Sequence, residues 1–377
     1  MMKKKILCVF GTRPEAIKLS PLINVLKNDG SFNLAICVTG QHKEMLHQVL
    51  TLFEIKPDFD LEVMKPNQNL SDLTGSIISG VSKVIQEFQP DCVLVHGDTT
   101  TTLATSLAAF YNKVDVGHVE AGLRTYDIYS PWPEEINRQC VGKISRFHFA
   151  PTLKAKQNLI SEGISEDKIF ITGNTVIDAL QQIHQAVSQD SRQDHFNNKF
   201  HFIDENRKLL LVTGHRRENF GKAFENVCHA LREIALSKDV QIVYPVHLNP
   251  HVQSCVANIL NGLANVHLID PLDYESFVYL IGKSHLIITD SGGIQEEAPA
   301  LGKPVLVTRD TTERPEAVEA GTAILVGTDR QKIISQINIL LEDQSAYSKM
   351  AKAKNPYGDG TASQQICNIL TTEIFKG

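Results

Sequence analysis

Short apolar runs recur through the first half of the chain, and each is followed by a polar loop and then by a stretch of helical spacing. Continuous apolar runs of this length are typical of buried parallel strands, whereas apolar residues three and four positions apart indicate helices. The strand-like runs cover residues 5–10, 33–38, 92–96 and 114–119. The helical stretches cover residues 16–28, 45–53, 73–88 and 102–110. This alternation predicts a parallel sheet that is covered by helices on both faces.

The same alternation restarts after a polar stretch at 181–206, which is rich in Gln, Asp, Asn and His and lacks strong periodicity. We interpret that stretch as a helix end followed by a surface linker. Strand-like runs then cover residues 208–212, 240–246, 266–269, 285–289, 305–308 and 323–326. Helical stretches cover residues 223–236, 275–283, 294–301, 329–342, 344–353 and 362–375. The pattern predicts an α/β protein with two Rossmann-like, doubly wound parallel-sheet domains facing a cleft, which is a usual place for a ligand.

The length of 377 residues also suggests two domains. We place the N-terminal Rossmann-like domain at 1–180, the linker region at 181–206 and the second Rossmann-like domain at 207–355. The last segment, 356–377, is expected to form a helix that crosses back to the first domain.

Composition and charge exclude several classes of function. The formal net charge of −6 argues against nucleic-acid binding as the main function. The chain contains no apolar run of the ~18 residues that a transmembrane helix needs. The apolar run after the basic start ends at Gly11, which is too early for a signal peptide, so we expect a cytoplasmic protein that does not bind membranes. The seven cysteines form no CxxC pair, which predicts reduced core thiols rather than disulfides or a zinc site.

Ionisable residues follow four strands of the first half. Arg13, His42, Asp98 and Glu120 each lie in the loop after a predicted strand. Taken singly, each has an ordinary interpretation as a solvated loop charge. Because the carboxyl ends of parallel strands lie along one edge of a sheet, their convergence predicts an active site there.

In the second half, a strand, a glycine pair and a helix follow one another at 285–301. Ser291, Gly292 and Gly293 supply little side-chain bulk where a helix N-terminus presents free N–H groups, which favours an anion such as a phosphate. Glu296 and Glu297 are expected in the first helical turn, and one of them is a candidate acceptor for a ribose diol. The alternative is an ordinary helix start with two acids near its dipole.

The two halves offer complementary chemistry. The first holds the carboxylates of Asp98, Glu120 and Glu134 and the cations of Arg13 and Lys18. The second adds His215, Arg216, Arg217 and Arg314 to the Ser-Gly-Gly segment. Carboxylates serve as general acids and bases, and cations stabilise a departing diphosphate. The simplest partition places a nucleotide diphosphate on the second half and a sugar against the acids of the first.

Nine motifs in this order resemble the bacterial non-hydrolysing UDP-N-acetylglucosamine 2-epimerases. They are GTRPEAIK (11–18), GQH (40–42), HGDT (96–99), HVEAGLR (118–124), PWPEEINR (131–138), GHRRENFG (214–221), PVHLNP (245–250), DSGGIQEEAPALGKPVLVTRDTTERPEAV (290–318) and NPYGDG (355–360). The resemblance spans nearly the whole chain, and it implies the two-domain B-type glycosyltransferase fold.

The resemblance also implies a reaction and its residues. UDP is eliminated across C1–C2 of UDP-N-acetylglucosamine to give a 2-acetamidoglucal, and re-addition gives UDP-N-acetylmannosamine, without a metal or any other cofactor. Asp98, Glu120, Glu134 and His215 match the catalytic residues of the family. The implied substrate-binding residues are Arg13, Lys18, Asp98, Glu120, His215, Phe277, Ser291, Gly292, Gly293, Glu297 and Arg314. Which carboxylate removes the C2 proton stays open. The family further implies a homodimer and a role in cell-surface polysaccharide synthesis, although the pathway served stays open.

Some relatives bind a second UDP-N-acetylglucosamine as an activator. The residues of this chain in the matching segments are Gln41, His42, Glu135, Arg216 and His247. Two neighbouring positions depart from the family pattern, because Glu44 and Asn67 stand where a Gln and an Arg are expected. The loss of an Arg removes a bidentate phosphate partner, so we expect weak or absent activation by substrate. Leu272 likewise stands where relatives often carry a Gln beside the nucleotide base, so a side-chain contact to that base is lost.

Other functions stay open at this stage. A hydrolysing epimerase shares the same acids but releases free N-acetylmannosamine and UDP. A glycosyltransferase of the same fold requires an acceptor groove and no base at C2, and a non-catalytic UDP-sugar-binding module requires no acids. Phe277 has a second interpretation as a core residue, because its neighbours have helical apolar spacing.

Overall fold

The computed structural model describes residues 3–40, 43–65, 67–214, 216 and 221–374. Its strands are β1 (Lys4–Phe10), β2 (Phe32–Val38), β3 (Phe59–Asp60), β4 (Cys92–His96), β5 (Asp115–Val119), β6 (Phe147–Ala150), β7 (Ile169–Ile171), β8 (Lys208–Thr213), β9 (Val240–Pro245), β10 (Val266–Ile269), β11 (Leu286–Thr289), β12 (Val305–Val307) and β13 (Ala323–Leu325). Its helices are α1 (Arg13–Asn28), α2 (Lys43–Leu52), α3 (Leu70–Phe88), α4 (Thr100–Tyr111), α5 (Glu134–Ile144), α6 (Leu153–Ser161), α7 (Thr175–Val187), α8 (Asp190–Lys199), α9 (Lys222–Ser237), α10 (Pro250–Leu260), α11 (Tyr274–Lys283), α12 (Gly292–Ala300), α13 (Pro315–Glu319), α14 (Arg330–Glu342), α15 (Gln344–Ala351) and α16 (Ala362–Glu373). The chain divides into two compact units, Met1–Ala179 with Tyr357–Gly377, and Leu180–Pro356.

The first unit contains a seven-stranded parallel sheet in the order β3-β2-β1-β4-β5-β6-β7. Ile6 of β1 lies opposite Leu34 of β2 on one side and opposite Cys92 of β4 on the other. The chain therefore winds outward from β1 in one direction and from β4 in the other. The gap between β1 and β4 is the topological switch point, where ligands bind in open α/β sheets.

Apolar side chains cover this sheet in the way that the sequence pattern predicts. Residues 6–10 of β1 are fully buried, as a central strand with helices on both faces requires. Val93 and Val95 of β4 pack into one cluster with Ile77 and Val81 of α3. The prediction of a helix-covered parallel sheet is confirmed. The sequence pattern did not predict β3, β6 and β7, which have only two, four and three residues.

The second unit contains a six-stranded parallel sheet in the order β10-β9-β8-β11-β12-β13. Leu210 of β8 lies opposite Leu286 of β11, so the switch point of this sheet falls between those two strands. Leu210 and Ile288 share a buried cluster with Leu231 of α9 and Ile337 of α14. The second predicted doubly wound sheet is thus present as well.

Only the first part of the interpretation of 181–206 is confirmed: the predicted helix end is the end of α7, but the predicted linker contains the whole of α8. Phe196 of α8 and Phe200, which directly follows the helix, are buried, and their rings stack on Tyr279 of α11 at centroid distances of 5.1 Å and 5.6 Å. Two aromatic residues four positions apart form one narrow apolar stripe on an otherwise polar helix. Sequence periodicity is weak there because tertiary packing on Tyr279, rather than a broad apolar face, stabilises the helix.

The C-terminal segment belongs to the first unit, where α16 packs against α1. The NPYGDG motif separates α15 from α16, and its Tyr357 is fully buried. All seven cysteines are free thiols, but Cys140 is exposed and Cys255 is half-buried, so the prediction of core thiols is wrong for these two. Along the part of the chain that the structure describes, every helix is too short or too polar to cross a membrane.

Candidate active site

Three of the four loop residues that the sequence singled out lie at the carboxyl ends of neighbouring strands. Arg13 begins α1 after β1, Asp98 follows β4, and Glu120 follows β5 directly. Strands β1, β4 and β5 are adjacent in the sheet, so these residues share one edge at the switch point. His42, the fourth residue, lies outside the described residues.

Glu120 is held by two donors on one oxygen. The Lys18 ammonium forms an ion pair with Oε2 of Glu120, and Nδ2 of Asn174 donates to the same oxygen at 2.6 Å. The Glu120 backbone has a φ of 61°, a left-handed conformation that costs a non-glycine residue about 1–3 kcal/mol and that clusters at functional sites. A charge-assisted pair of this kind stabilises the ionised carboxylate and fixes its orientation.

Asp98 has the opposite electrostatic environment. Burial and the negative charges of Glu120 and Glu134 raise the pKa of Asp98 to about 6, although the positive charges of Arg138 and Lys18 oppose them. Nη2 of Arg138 lies 3.4 Å from Oδ2 of Asp98, and 28% of the Asp98 side chain stays exposed. Asp98 therefore exchanges a proton near neutral pH, as a general acid or base must. These contributions also show that Glu120 and Glu134 lie within electrostatic range of Asp98.

The two glutamates that begin α5 have different surroundings. Glu134 is the first residue of the helix and is half-buried. The carboxylate of Glu135 is fully buried and accepts hydrogen bonds from the backbone N–H groups of Thr125 and Tyr126, both at 3.0 Å. Burial raises the pKa of Glu135, but the hydrogen bonds that it accepts, led by the one from Gln139, bring the pKa below its usual value. Glu135 thus anchors the loop after β5, and its role in a regulatory site stays a prediction.

Two buried residues that sequence reasoning missed hold the loops that carry the candidate site residues. Glu15 accepts hydrogen bonds from Gly11 N at 3.0 Å and from Thr99 Oγ1 at 2.7 Å, which ties the loop that carries Arg13 to the loop that carries Asp98. Its position three residues after Thr12 is a capping box, a signal that the sequence does contain.

His118 is the second of these residues. Its Nε2 lies 2.7 Å from the carbonyl oxygen of Gly97, directly before Asp98. Burial lowers the pKa of His118 to about 3, so the ring is neutral. Since a carbonyl oxygen only accepts, Nε2 carries the proton. His118 in this form holds the backbone of the loop after β4.

In the second unit, the glycine pair lies inside a helix rather than in a turn before it. Helix α12 begins at Gly292, two residues earlier than the pattern predicted, so Glu296 and Glu297 lie beyond the first turn. A Cβ atom on Gly292 would come no nearer than 4.0 Å to the surrounding chain, and one on Gly293 no nearer than 3.9 Å. The packing of the chain therefore does not require glycine at either position. Open space before free helix N–H groups suits the close approach of an anion.

The structure separates the two glutamates of α12. Glu296 is buried and forms an ion pair with Nε of Arg314, while Asn355 donates to its backbone carbonyl at 2.8 Å. Glu297 accepts a hydrogen bond from Tyr274 Oη at 2.8 Å. Glu296 thus positions Arg314, which leaves Glu297 as the candidate for a ribose diol. Phe277 is half-buried rather than in the core, so the core interpretation is wrong.

The loops after β8 and β11 meet at the second switch point. The backbone N–H of Arg216 donates to Oδ2 of Asp290 at 2.8 Å, and Nη1 of Arg216 lies 3.8 Å from Glu313. Burial raises the pKa of Glu313, but the hydrogen bonds that it accepts from Arg309 outweigh burial and bring the pKa to about 2. His247 is exposed at the end of β9. The predicted site residues His215, Arg217, Gln41 and His42 lie outside the described residues. Within the described ranges, no cluster of three or more His, Cys, Asp and Glu side chains is arranged to hold a metal ion.

Comparisons with known proteins identify the family of the chain. A family model for UDP-N-acetylglucosamine 2-epimerase matches residues 24–371. The chain belongs to the UDP-N-acetylglucosamine 2-epimerase family. The UDP-N-acetylglucosamine 2-epimerase of Yersinia pestis is 58% identical over 369 residues, which cover 97% of this chain and 98% of that protein. This similarity identifies the chain as an isomerase.

Solved structures of this epimerase family and of glycosyltransferases share the fold. The crystal structure of the Neisseria meningitidis UDP-GlcNAc 2-epimerase bound to UDP-GlcNAc is 54% identical, has a TM-score of 0.89, and covers 97% of this chain and 99% of its own. A glycosyltransferase from Rickettsia africae is only 15% identical, yet has a TM-score of 0.65 over the whole of both chains. The predicted B-type glycosyltransferase fold and the predicted epimerase family are both confirmed.

Proposed function

We propose that the chain is a non-hydrolysing epimerase that interconverts UDP-N-acetylglucosamine and UDP-N-acetylmannosamine. The observation that carries the proposal is the carboxyl group of Asp98, whose pKa of about 6 is raised by burial and by the charges of Glu120 and Glu134. The Neisseria meningitidis relative bound to UDP-GlcNAc supports the nature of the substrate.

The proposed chemistry breaks two bonds at the sugar. A base takes the proton from C2, the C–H electrons form the C1=C2 double bond, and the C1–O bond breaks so that its electrons leave with UDP. The product is a 2-acetamidoglucal. UDP then adds back at C1 while an acid delivers a proton to the other face of C2. Because the proton leaves one face of C2 and is added to the opposite face, the reaction needs more than one acid or base.

The surroundings of the carboxylates suit this division. Asp98 changes its protonation state near neutral pH, so we assign it to proton exchange at C2. Lys18 and Asn174 favour the ionised form of Glu120, and we assign this carboxylate to stabilisation of the positive charge that develops at the sugar or to removal of the C2 proton in the reverse direction. Glu134 completes the acid set.

The UDP part is assigned to groups that favour negative charge or that accept hydrogen bonds. The N-terminus of α12 and the guanidinium of Arg314 suit the diphosphate, because helix N–H groups and a cation both favour negative charge. Glu297 is assigned to the ribose diol, and Phe277 is assigned to the uracil. Arg13, Lys18 and His215 are proposed to assist diphosphate departure.

Incubation with UDP-N-acetylglucosamine alone in D₂O, followed by proton and phosphorus NMR, tests the proposal. We expect UDP-N-acetylmannosamine with deuterium at C2 and an intact diphosphate. Free UDP with N-acetylmannosamine would identify a hydrolysing epimerase instead. An unchanged spectrum without deuterium exchange would overturn the roles given to the three carboxylates.

We further propose, from the family resemblance, that the protein is a cytoplasmic homodimer and that its product is used in cell-surface polysaccharide synthesis. We also propose that its substrate activates it weakly or not at all. Light scattering of the purified protein tests the dimer. Initial rates with UDP-N-acetylmannosamine test the regulation: we expect a hyperbolic curve. A sigmoidal curve that becomes hyperbolic with trace UDP-N-acetylglucosamine would contradict the expected loss of activation.

A further inference from the structure

The NPYGDG motif forms a turn that supports a buried loop of the first unit. Gly173 and Gly358 have φ values of 82° and 118°, and their backbones touch. A Cβ atom on Gly173 would lie 3.1 Å from the carbonyl oxygen of Tyr357, and one on Gly358 would lie 3.3 Å from Cα of Gly173. The backbone N–H of Asn174 donates to the same Tyr357 carbonyl at 2.7 Å. Both glycines are therefore required by the close approach of two backbones, which fixes the position of Asn174.

The side chain of Asn174 has only one orientation that satisfies its neighbours. It is 2% exposed, and its Oδ1 accepts a hydrogen bond from the backbone N–H of Val176 at 3.1 Å, in the first turn of α7. Its Nδ2 group consequently faces Glu120 and donates to Oε2 at 2.6 Å. Exchanging the amide oxygen and nitrogen would break both hydrogen bonds, because an N–H would face an N–H and an oxygen would face a carboxylate.

This contact determines which oxygen of Glu120 faces the neighbouring catalytic loop. Lys18 and Asn174 both bind Oε2. The other oxygen, Oε1, lies beside Gly97, where it would be 3.5 Å from an added Cβ atom, and Gly97 directly precedes Asp98. Since the Glu120 backbone is in the left-handed region, its conformation persists only where the surroundings over-determine it.

We propose that Asn174 is a positioning residue for the epimerase reaction, which orients the carboxylate of Glu120 from a turn formed by Tyr357 and Gly358. The inference rests on the proposed function. It assigns to the NPYGDG motif the task of supporting the second acid/base group, although the motif is separated from Glu120 by more than two hundred residues along the chain.

Two substitutions separate this role from a purely structural one. Asn174→Asp keeps the oxygen that caps α7 but replaces the donor to Glu120 by a second carboxylate. Two carboxylates in contact cannot both be ionised, so one pKa rises strongly. We expect kcat to fall about tenfold or more at pH 8 and to recover at about pH 6, where a protonated Asp donates as Asn does. Asn174→Ala removes donor and cap, and we expect kcat to fall about tenfold or more at every pH while KM changes little.

A matched control removes an Asn cap that lies away from the site. Asn69 caps α3 by accepting from Asp72 N at 2.9 Å, so Asn69→Ala tests the loss of a cap alone and should leave the pH profile unchanged. A pH profile of Asn174→Asp equal to that of the wild type would overturn the inference, whether or not Asn174→Ala folds. A wild-type enzyme that fails to epimerise in the same assay would instead overturn the proposed function.

Discussion

Nη2 of Arg138 lies 3.4 Å from Oδ2 of Asp98, while its Nε lies 3.3 Å from the buried carboxylate of Glu135. The guanidinium of Arg138 thus contacts both Asp98 and Glu135, which anchors the loop after β5. The guanidinium counteracts the effect of burial on Asp98, whose pKa nevertheless reaches about 6.

Arg138→Met should therefore move the pH dependence of catalysis. Without the cation, the pKa of Asp98 rises above about 6. If the ionised form of Asp98 is the base, as we propose, the acidic limb of kcat/KM should move to higher pH by about one pH unit or more. Rate profiles between pH 5 and pH 9 measure the change. Arg146→Met, which removes a surface ion pair with Asp115, is the matched control, and an equal change in both variants would contradict the assignment.

Asp98→Asn should reduce turnover by about 100-fold or more, which is the usual scale for a general acid or base. The binding of UDP should change little, because Asp98 is assigned to the sugar. Single-turnover kinetics and UDP titration calorimetry measure the two effects separately. Asp167→Asn removes an exposed carboxylate outside the site and should behave like the wild type. Full epimerisation by Asp98→Asn would remove Asp98 from the catalytic set.

The same residue should also make stability depend on pH. The pKa of the Asp98 carboxyl group rises from 3.8 in the unfolded chain to about 6 in the folded protein. Its contribution to stability is therefore complete at pH values below 3.8 and is lost as the pH rises through about 6. A pKa rise of this size corresponds to roughly 2–3 kcal/mol in the free energy of unfolding. Asp98→Asn should therefore gain thermal stability relative to the wild type between pH 4 and pH 8. A difference in Tm that is constant with pH would contradict the raised pKa.

The sequence predicted those parts of the site that depend on local pattern. Apolar runs locate the strands, and Arg13, Asp98 and Glu120 follow from the rule that parallel strands end at one edge. Helix α8 was not predictable in this way, because its two phenylalanines are stabilised by Tyr279, some eighty residues later. The contact between Asn174 and Glu120 also depends on tertiary structure, and neither residue type signals it. Glu15 is different, since its capping box was present in the sequence.

Glu296 and Glu297 should affect UDP binding for different reasons. Glu297→Ala should weaken UDP binding by about 10-fold or more, since hydrogen bonds to a charged group contribute about 1.5–3 kcal/mol. It should not change the binding of 2′,3′-dideoxy-UDP, which lacks the diol. Glu296→Ala releases Arg314 from its ion pair and should weaken both ligands equally. Calorimetry with UDP and with 2′,3′-dideoxy-UDP measures the difference. If Glu297→Ala weakened the binding of both ligands equally, the ribose assignment would be refuted.

Gly122 and Gly293 should respond to alanine in opposite ways. A Cβ atom on Gly122, whose φ is 92°, would lie 2.3 Å from the carbonyl oxygen of Ala155, so Gly122→Ala should lower Tm markedly. Gly293 lies in the first turn of α12, where an added Cβ atom meets no chain atom closer than 3.9 Å and alanine has the higher helix propensity. Gly293→Ala should therefore keep or raise Tm, while its methyl group occupies the space before the helix N–H groups and weakens UDP binding. Thermal melts with and without UDP measure both effects. If UDP stabilises Gly293→Ala as strongly as it stabilises the wild type, the added methyl group does not obstruct the diphosphate. The diphosphate would then bind elsewhere.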